Sequence, residues 1–164
     1  MRLRAGFTEK AARIGRIAAT VLGAVLMASG CVFSSAKVTL RVDPAALDDV
    51  RGIGEVRAEA SHESERDGKT QVSRELVIDV GATSGREALD KAADLLAARK
   101  WVITTQNRPT IVLMESARWG ETYATLRPFD PAYFEDKPEV LEQLKKASVK
   151  EEPLVYLDVY EGTI

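Results

Sequence analysis

Carboxylates are the most abundant side chains in this chain that could do chemistry. Adjacent acid pairs stand in predicted loops or chain ends at Asp48-Asp49, Glu135-Asp136 and Glu151-Glu152. Retaining glycoside hydrolases need only two carboxylates about 5 Å apart, so an acid pair could support hydrolysis. Abundance does not establish that chemistry, and we expect these pairs to be solvated surface groups. A small hydrolase that uses paired carboxylates is therefore one alternative for the function of this chain. The export signal described below would place such an enzyme at the cell envelope.

The other reactive side chains form no convincing catalytic motif. His62 is the sole histidine and lies beside Glu63 and Glu65, which predicts a solvated loop residue. One histidine and one cysteine cannot build a metal site rich in these ligands. Ser34 and Lys37 have the spacing of the Ser-x-x-Lys motif, but the partner motifs of that enzyme class have no convincing equivalent. The sequence therefore predicts no catalytic, cofactor-binding or metal-binding residue.

The N-terminus has the organisation of an export signal. Residues 1–16 contain five basic residues and one acid, and residues 17–28 carry no charge. A basic segment followed by an apolar segment of this length is typical of a signal peptide. The basic segment has no adjacent arginine pair, which favours export of the unfolded chain.

The only cysteine, Cys31, directly follows the small residues Ala28, Ser29 and Gly30. This segment resembles the lipobox of bacterial lipoproteins, in which a small residue precedes a cysteine that is acylated before cleavage. The resemblance implies that signal peptidase recognises these three small residues and removes residues 1–30. It also implies that Cys31 carries acyl chains such as palmitate, on the extracytoplasmic side of the cell membrane.

Two other interpretations of this segment stay open. An ordinary signal peptidase also requires small residues before its cut, and Cys31 would then be a free thiol of a secreted protein. Alternatively, residues 17–36 carry no charge, and twenty helical residues rising about 1.5 Å each could cross a bilayer. That segment would make a single N-terminal transmembrane anchor.

The charge of the mature chain excludes one class of partner. The full sequence has 23 basic and 25 acidic residues, and residues 1–30 take five basic residues and one acidic residue with them. The mature chain is left with 18 and 24, a net charge of −6. Nucleic-acid binding requires clustered basic residues, so we expect no nucleic-acid partner. Membrane attachment would depend on acyl chains, each buried methylene of which contributes about 0.8 kcal/mol.

Residues 37–164 are predicted to form one small α+β domain, joined to Cys31 by a short tether at residues 31–36. The order of elements lacks regular strand-helix alternation, which favours a mainly antiparallel sheet with about two helices packed on it. Ser84 and Glu87 predict a capped helix, and Ala45–Val50 predicts a single helical turn. Strands are predicted at 37–42, 56–61, 71–80, 101–105, 111–116, 121–127 and 154–161, and helices at 84–99 and 138–147.

Aromatic and arginine residues concentrate in residues 118–134, between the fifth strand and the second helix. Such residues are enriched at the energetic centres of interfaces, so this segment is the candidate partner surface. Its members are Arg118, Trp119, Tyr123, Phe129, Tyr133 and Phe134. Together with the lipobox, this predicts a membrane-anchored lipoprotein that binds an envelope protein or other envelope component. A third possibility is an assembly role in which a sheet edge recruits another strand.

Overall fold

The computed structural model describes residues 38–147 and 153–162, all within one compact unit, Lys37–Ile164. The predicted export signal and anchor lie outside these residues. The predicted export signal is residues 1–30, which include Ala28, Ser29 and Gly30. The predicted anchor is Cys31, with the tether 31–36.

A seven-stranded mixed sheet forms the centre of the domain. Its strands are β1 (Val38–Arg41), β2 (Glu55–Arg66), β3 (Lys69–Asp79), β4 (Trp101–Asn107), β5 (Ile111–Ser116), β6 (Thr122–Pro128) and β7 (Leu154–Glu161). Their order is β1-β3-β7-β6-β5-β4, and β2 also pairs with β3. The β1–β3 pair is parallel and the other described pairs are antiparallel. The prediction of a mainly antiparallel sheet is thus confirmed.

Strand β3 organises one half of this sheet. Strand β2 pairs with it along its whole length, from Lys69 to Asp79. The opposite side of β3 is shared, because β1 pairs with residues 69–72 and β7 pairs with residues 74–79. Strands β1 and β7 therefore follow one another along the same side of β3. Strand β7 also pairs with β6 and so joins the two halves of the sheet.

Within residues 38–147 and 153–162, three α-helices accompany the sheet, one more than expected. They are α1 (Pro44–Arg51), α2 (Gly85–Ala98) and α3 (Pro138–Lys146), and a 3₁₀ turn spans Pro131–Phe134. The additional helix is α1, where the sequence predicted only one turn. The carboxylate of Asp43 accepts a hydrogen bond from the amide of Ala45 at 2.7 Å, which stabilises the start of α1.

Only one of the two hydrogen bonds of the predicted capping box is present at the start of α2. The Ser84 hydroxyl accepts a hydrogen bond from the Glu87 amide at 3.3 Å, as expected for an N-cap serine. The Glu87 carboxylate, however, accepts from the amide of Thr83 at 2.9 Å and from the hydroxyl of Thr83. Glu87 thus stabilises the residue before the cap, and the reciprocal bond to the Ser84 amide is replaced.

The two sides of the sheet carry separate hydrophobic clusters. Leu76 and Ile78 face the cluster that contains the buried residues of α1 and α2, whereas Val77 faces the cluster formed with α3. This alternation follows from the two-residue period of a strand. Each fully buried large aliphatic side chain stabilises the domain by about 1.5–3 kcal/mol.

Strand β7 occupies a different environment from the one its pattern suggests. The alternation of residues 154–161 predicts a last strand with one wet face. The structure places β7 in the middle of the sheet, with Val155, Leu157 and Val159 fully buried beneath α2. Tyr156 on the other side is only 9% exposed, because the 3₁₀ turn and α3 pack over it.

Candidate binding surface

Two carboxylates are neighbours on the side of the sheet that α3 partly covers. Glu75 of β3 and Asp158 of β7 are cross-strand partners in the antiparallel register. Cross-strand partners have Cβ atoms about 4.5–5.5 Å apart, so two ionised groups at these positions would repel each other. A nearby cation or a retained proton would therefore stabilise the pairing of these strands.

Lys137 provides the cation from the opposite layer. It precedes α3, and its ammonium group donates a hydrogen bond to Oε2 of Glu75. The Tyr156 hydroxyl donates to Oε1 of the same carboxylate at 3.4 Å. The side chains of Lys137 and Glu75 are only 13% and 10% exposed. This ion pair ties the start of α3 to the middle of the sheet.

Asp158 holds a proton more readily than an ordinary aspartate. Burial raises the pKa of the Asp158 carboxyl, and the negative charge of Glu75 raises that pKa further. The hydroxyl of Ser73 donates to Asp158 and opposes the shift. Burial also raises the pKa of Tyr156, so the Tyr156 phenol stays neutral and can donate to Glu75. The two neighbouring carboxylates therefore differ, since one is paired with a cation and the other favours its neutral form.

Two buried polar atoms nearby have no hydrogen-bond partner within the described part of the chain. They are Oδ1 of Asp158 and Nε of Arg127. Arg127 is the cross-strand partner of Tyr156, two residues before Asp158, so both side chains lie on the same side of adjacent strands. A buried polar atom left unpaired costs about 1–3 kcal/mol.

Tyrosines line the surface around these atoms. Tyr123 and Tyr160 are cross-strand partners whose rings stack with centroids 5.7 Å apart and an interplanar angle of 24°. Tyr133 lies 5.2 Å from the ring of Tyr156, and the Arg127 guanidinium lies 5.7 Å from the centroid of Tyr133. Such rings provide rigid apolar area together with a polar hydroxyl.

These residues belong to a larger surface, which we call the open face. Strands β5 and β6, and β7 from Leu157 to Tyr160, alternate between buried residues under α2 and half-buried residues on the other side. Among the described residues, the second hydrophobic cluster does not extend over that side of β5 and β6. The members of the open face are Ile111, Leu113, Glu115, Tyr123, Thr125, Arg127, Asp158 and Tyr160.

The structure separates the six residues of the predicted partner surface. Arg118 is exposed, and its guanidinium lies 4.5 Å from the ring centroid of Trp119. Trp119 packs against the main cluster, on the side of the sheet that α2 covers. Tyr123 belongs to the open face and its ring stacks on Tyr160. Trp119 and Tyr123 therefore lie on opposite sides of the sheet.

The remaining three members surround the second cluster. Phe134 is fully buried and contributes to the core, so it cannot line a surface. Phe129 and Tyr133 are half-buried and pack against that cluster. Tyr133 also contacts Arg127 at the border of the open face. Only Tyr123 and Tyr133 of the predicted set thus lie on or beside the open face.

The adjacent acid pairs have separate roles. Asp48 is exposed as expected, but the Asp49 side chain is only 11% exposed and accepts hydrogen bonds from Arg99 at 3.3 Å and Trp101 at 3.2 Å. Asp49 therefore fixes α1 to the start of β4. Residues 135–136 are exposed, and residues 151–152 lie outside the described residues.

His62 is exposed, as predicted for a solvated residue, but it lies on β2 opposite Ser73 and not in a loop.

An open groove of about 570 Å³ lies beside the outer side of α2, away from the open face. It is lined by charged residues such as Arg86, Asp90 and Asp94. These side chains are exposed or half-buried, as on an ordinary helix surface.

The polar contacts of Glu75, Lys137 and Asp158 escaped the sequence analysis. The three residues are far apart in the chain, and each stands in a segment whose pattern indicates an outward position. One signal was available, because Glu75 and Asp158 each alternate with buried aliphatic residues in long strands. If β3 were known to pair with β7, Glu75 and Asp158 could be expected to lie side by side. The local sequence pattern does not show which strands pair.

Comparisons of the chain with protein-family models, curated proteins and solved structures find no match. Within residues 38–147 and 153–162, no group of three or more potential metal ligands is present. No helix in the same ranges has both the length and the apolar character to cross a bilayer. Function must therefore be inferred from the open face and from the N-terminal sequence.

Replacing Lys137 with alanine is expected to lower the free energy of unfolding by about 3 kcal/mol, because Glu75 would remain buried without its cation. Urea denaturation of both proteins measures this difference. The matched control is Lys145→Ala, since the Lys145 side chain is 70% exposed and pairs with Glu142 on the surface. The control should change stability by no more than about 0.5 kcal/mol. Equal losses in the two variants would contradict a special role for Lys137.

Replacing Asp158 with asparagine is expected to stabilise the domain at pH 7 and to have little effect at pH 3. The raised pKa of Asp158 means that the folded state holds this proton more tightly than the unfolded chain does. Its ionisation therefore destabilises the fold as the pH rises above about 4, the ordinary aspartate value. Denaturant midpoints at both pH values test this, with Asp94→Asn on the exposed side of α2 as control. A variant that loses stability at pH 7 would show that the charged form is required.

Proposed function

We propose that this chain is a membrane-anchored bacterial lipoprotein whose small domain is a binding or accessory module at the cell envelope. The observation that carries the binding role is the contrast between the two sides of β5, β6 and β7. One side is fully buried, and the other presents eight half-buried residues that include two stacked tyrosines. The partner is an envelope protein or another envelope component.

The chemistry of the open face supports recognition of a partner that is partly apolar and partly polar. Ile111, Leu113 and the rings of Tyr123 and Tyr160 supply apolar area, as at the centres of known interfaces. The half-buried polar residues Glu115, Thr125 and Arg127 lie beside that apolar area.

The contacts of the Glu75–Asp158 pair favour a structural role over hydrolysis. A hydrolase needs two carboxylates that can reach a substrate, with one acting as acid and the other as base or nucleophile. Glu75 is 8% exposed and is already bonded to Lys137 and Tyr156. We infer that Glu75, through Lys137, holds α3 on the sheet and that Asp158 marks the border of the open face.

The anchor is supported by the position of Cys31 and by charge. Cys31 follows small residues after a basic and then an apolar segment, as in the lipobox. The mature chain has a net charge of −6 and no basic excess that would hold it on an anionic membrane. Two or more acyl chains on Cys31 would supply the attachment, on the extracytoplasmic side.

Replacing Cys31 with serine is expected to abolish acylation and membrane retention while leaving the fold of the domain intact. Mass spectrometry of the native protein should show a mature N-terminus at Cys31 with the added mass of acyl chains. The Ser34→Ala variant is the control and should remain acylated and in the membrane fraction. An intact chain with an unmodified Cys31 in the membrane would instead support the single transmembrane anchor.

Replacing Tyr123 or Tyr160 with alanine is expected to reduce capture of envelope components from detergent extracts by the purified protein. Removal of one interface aromatic of this kind typically costs about 2 kcal/mol, which is roughly thirtyfold in affinity. Trp119→Ala is the matched control, because Trp119 packs on the other side of the sheet. Circular dichroism checks that each variant is folded. Loss of capture in the Trp119 variant alone would place the binding surface at residues 118–119.

A further inference from the structure

We propose that the open face binds the open face of a second copy of this chain, about a two-fold axis that lies between the two sheets. This inference rests on the proposed function and names its partner, since a second copy is itself an envelope protein. It is carried by two half-buried charges of opposite sign that have no ion-pair partner in the described part of the chain. They lie at opposite ends of an apolar surface.

The two charges belong to Glu115 on β5 and Arg127 on β6, and both side chains are half-buried. Neither forms an ion pair with another described residue. Half-buried charges elsewhere on the sheet do pair, as Arg57 does with Asp79 at 2.9 Å. Asp158, the other acidic residue of the face, favours its neutral form because burial raises the pKa of its carboxyl. A partner that supplies one base and one acid would therefore stabilise the two unpaired charges.

The register of the sheet keeps these two charges apart within one copy. Glu115 stands opposite Tyr123, and Arg127 follows Tyr123 by four residues along β6. At about 3.3 Å per residue, Glu115 and Arg127 are separated by roughly 13 Å along the strands, too far for an ion pair. The cross-strand partners Leu113 and Thr125 lie between them. The open face thus has a negative end, a positive end and an uncharged middle.

This arrangement is complementary to itself. In a two-fold dimer, a residue that contacts a second residue of the partner is matched by the reverse contact. An axis that bisects the line from Glu115 to Arg127 places Glu115 of each copy over Arg127 of the other. Leu113 and Thr125 then lie near the axis, where each meets its own counterpart. Any other occupant would have to present a base and an acid roughly 13 Å apart, whereas a second copy presents them by symmetry.

An apolar area accompanies the charges and extends onto β4. Val102 stands opposite Glu115, so its side chain lies on the side of the open face, and 57% of its surface is accessible. It continues the area formed by Ile111, Leu113 and the stacked rings of Tyr123 and Tyr160. Burial of this area between two copies would contribute to their association.

The layer above the open face has room for a second sheet. Helix α3 fills the same layer over β2 and β3, and a helix is about 10–12 Å wide. Stacked sheets pack about 10 Å apart, so a second sheet fits beside α3. Strands β4 and β7 are three strand spacings apart, about 14 Å, which makes the contact smaller than the roughly 800 Å² per partner of a stable interface. The dimer is therefore expected to be weak in dilute solution and favoured where copies are concentrated in one membrane.

Cysteine crosslinking of the full chain in its native membrane tests the second copy as partner. Leu113→Cys and Thr125→Cys each place a thiol beside the proposed axis. Oxidation of isolated membranes should join at least one of these variants into a disulfide-linked dimer. Asp94→Cys, on the exposed side of α2, is the matched control and should stay monomeric. The parent chain, which carries Cys31 alone, gives the background.

Charge reversal distinguishes a second copy from every other partner. In the reactive cysteine variant, Glu115→Arg or Arg127→Glu alone would bring like charges together at both symmetric contacts, so the dimer yield should fall roughly tenfold. The double reversal restores opposite charges between identical copies and should return the yield to within about twofold of the starting value. A different partner, whose sequence is unchanged, would not be rescued in this way. Arg86→Glu on the outer side of α2 is the control and should leave the yield unchanged.

Circular dichroism checks that each variant is folded, and Glu115→Gln and Arg127→Gln replace any reversal that is not. Single reversals without effect would overturn the face-to-face contact. Loss in the single reversals without rescue in the double reversal would overturn the second copy and indicate another partner. Absence of a dimer, with capture that still depends on Tyr123 and Tyr160, would overturn the second copy and leave the proposed function intact. Absence of both the dimer and that capture would overturn the proposed function as well.

Discussion

The insertion of the last strand between two separate halves of the sheet is the constraint on which the rest of the structure depends. Strands β1, β2 and β3 form one half and β4, β5 and β6 form the other, and the described ladder joins them only through β7. Residues of β7 contribute to both hydrophobic clusters, Leu157 to the main one and Tyr156 to the second. Neither layer of helices can be completely packed until β7 is in place. The domain therefore folds as a unit whose decisive contacts join distant parts of the chain.

The central position of β7 also explains why the two sides of the sheet differ. Helix α2 covers β4, β5, β6 and β7 on one side and gives that side a continuous core. Helix α3 lies over β2, β3 and part of β7 on the other side, where Lys137 fixes it to Glu75. The span between α3 and the β4 edge is left to half-buried tyrosines, aliphatic residues and polar groups. The open face thus lies where the covering layer of helices is shorter than the sheet.

Local sequence patterns predicted where most of the helices and strands lie, but not which strands pair with one another. The cap at Ser84 and the apolar stripe of α2 depend on residues three or four apart, so the helix could be located from sequence. The sequence also predicted the antiparallel meander of β4, β5 and β6, because short turns join those strands. Periodicity cannot show that β7 pairs with β3, and so the contact of Glu75 with Asp158 was not expected. The aromatic segment was found by composition, which does not say that Phe134 would face the core.

The short strand β1 has a mechanical consequence for a chain held at its N-terminus. Four residues pair it with β3, from Val38 opposite Lys69 to Arg41 opposite Val72, and most of them are exposed. A pulling force from the N-terminal side would load this ladder first, along the strand axis. Detachment of β1 alone would free four residues, about 13 Å of extended chain at about 3.3 Å per residue. Strand β7 would keep its pairing with β3, and the buried side chain of Val42 would hold the chain at the first residue after β1.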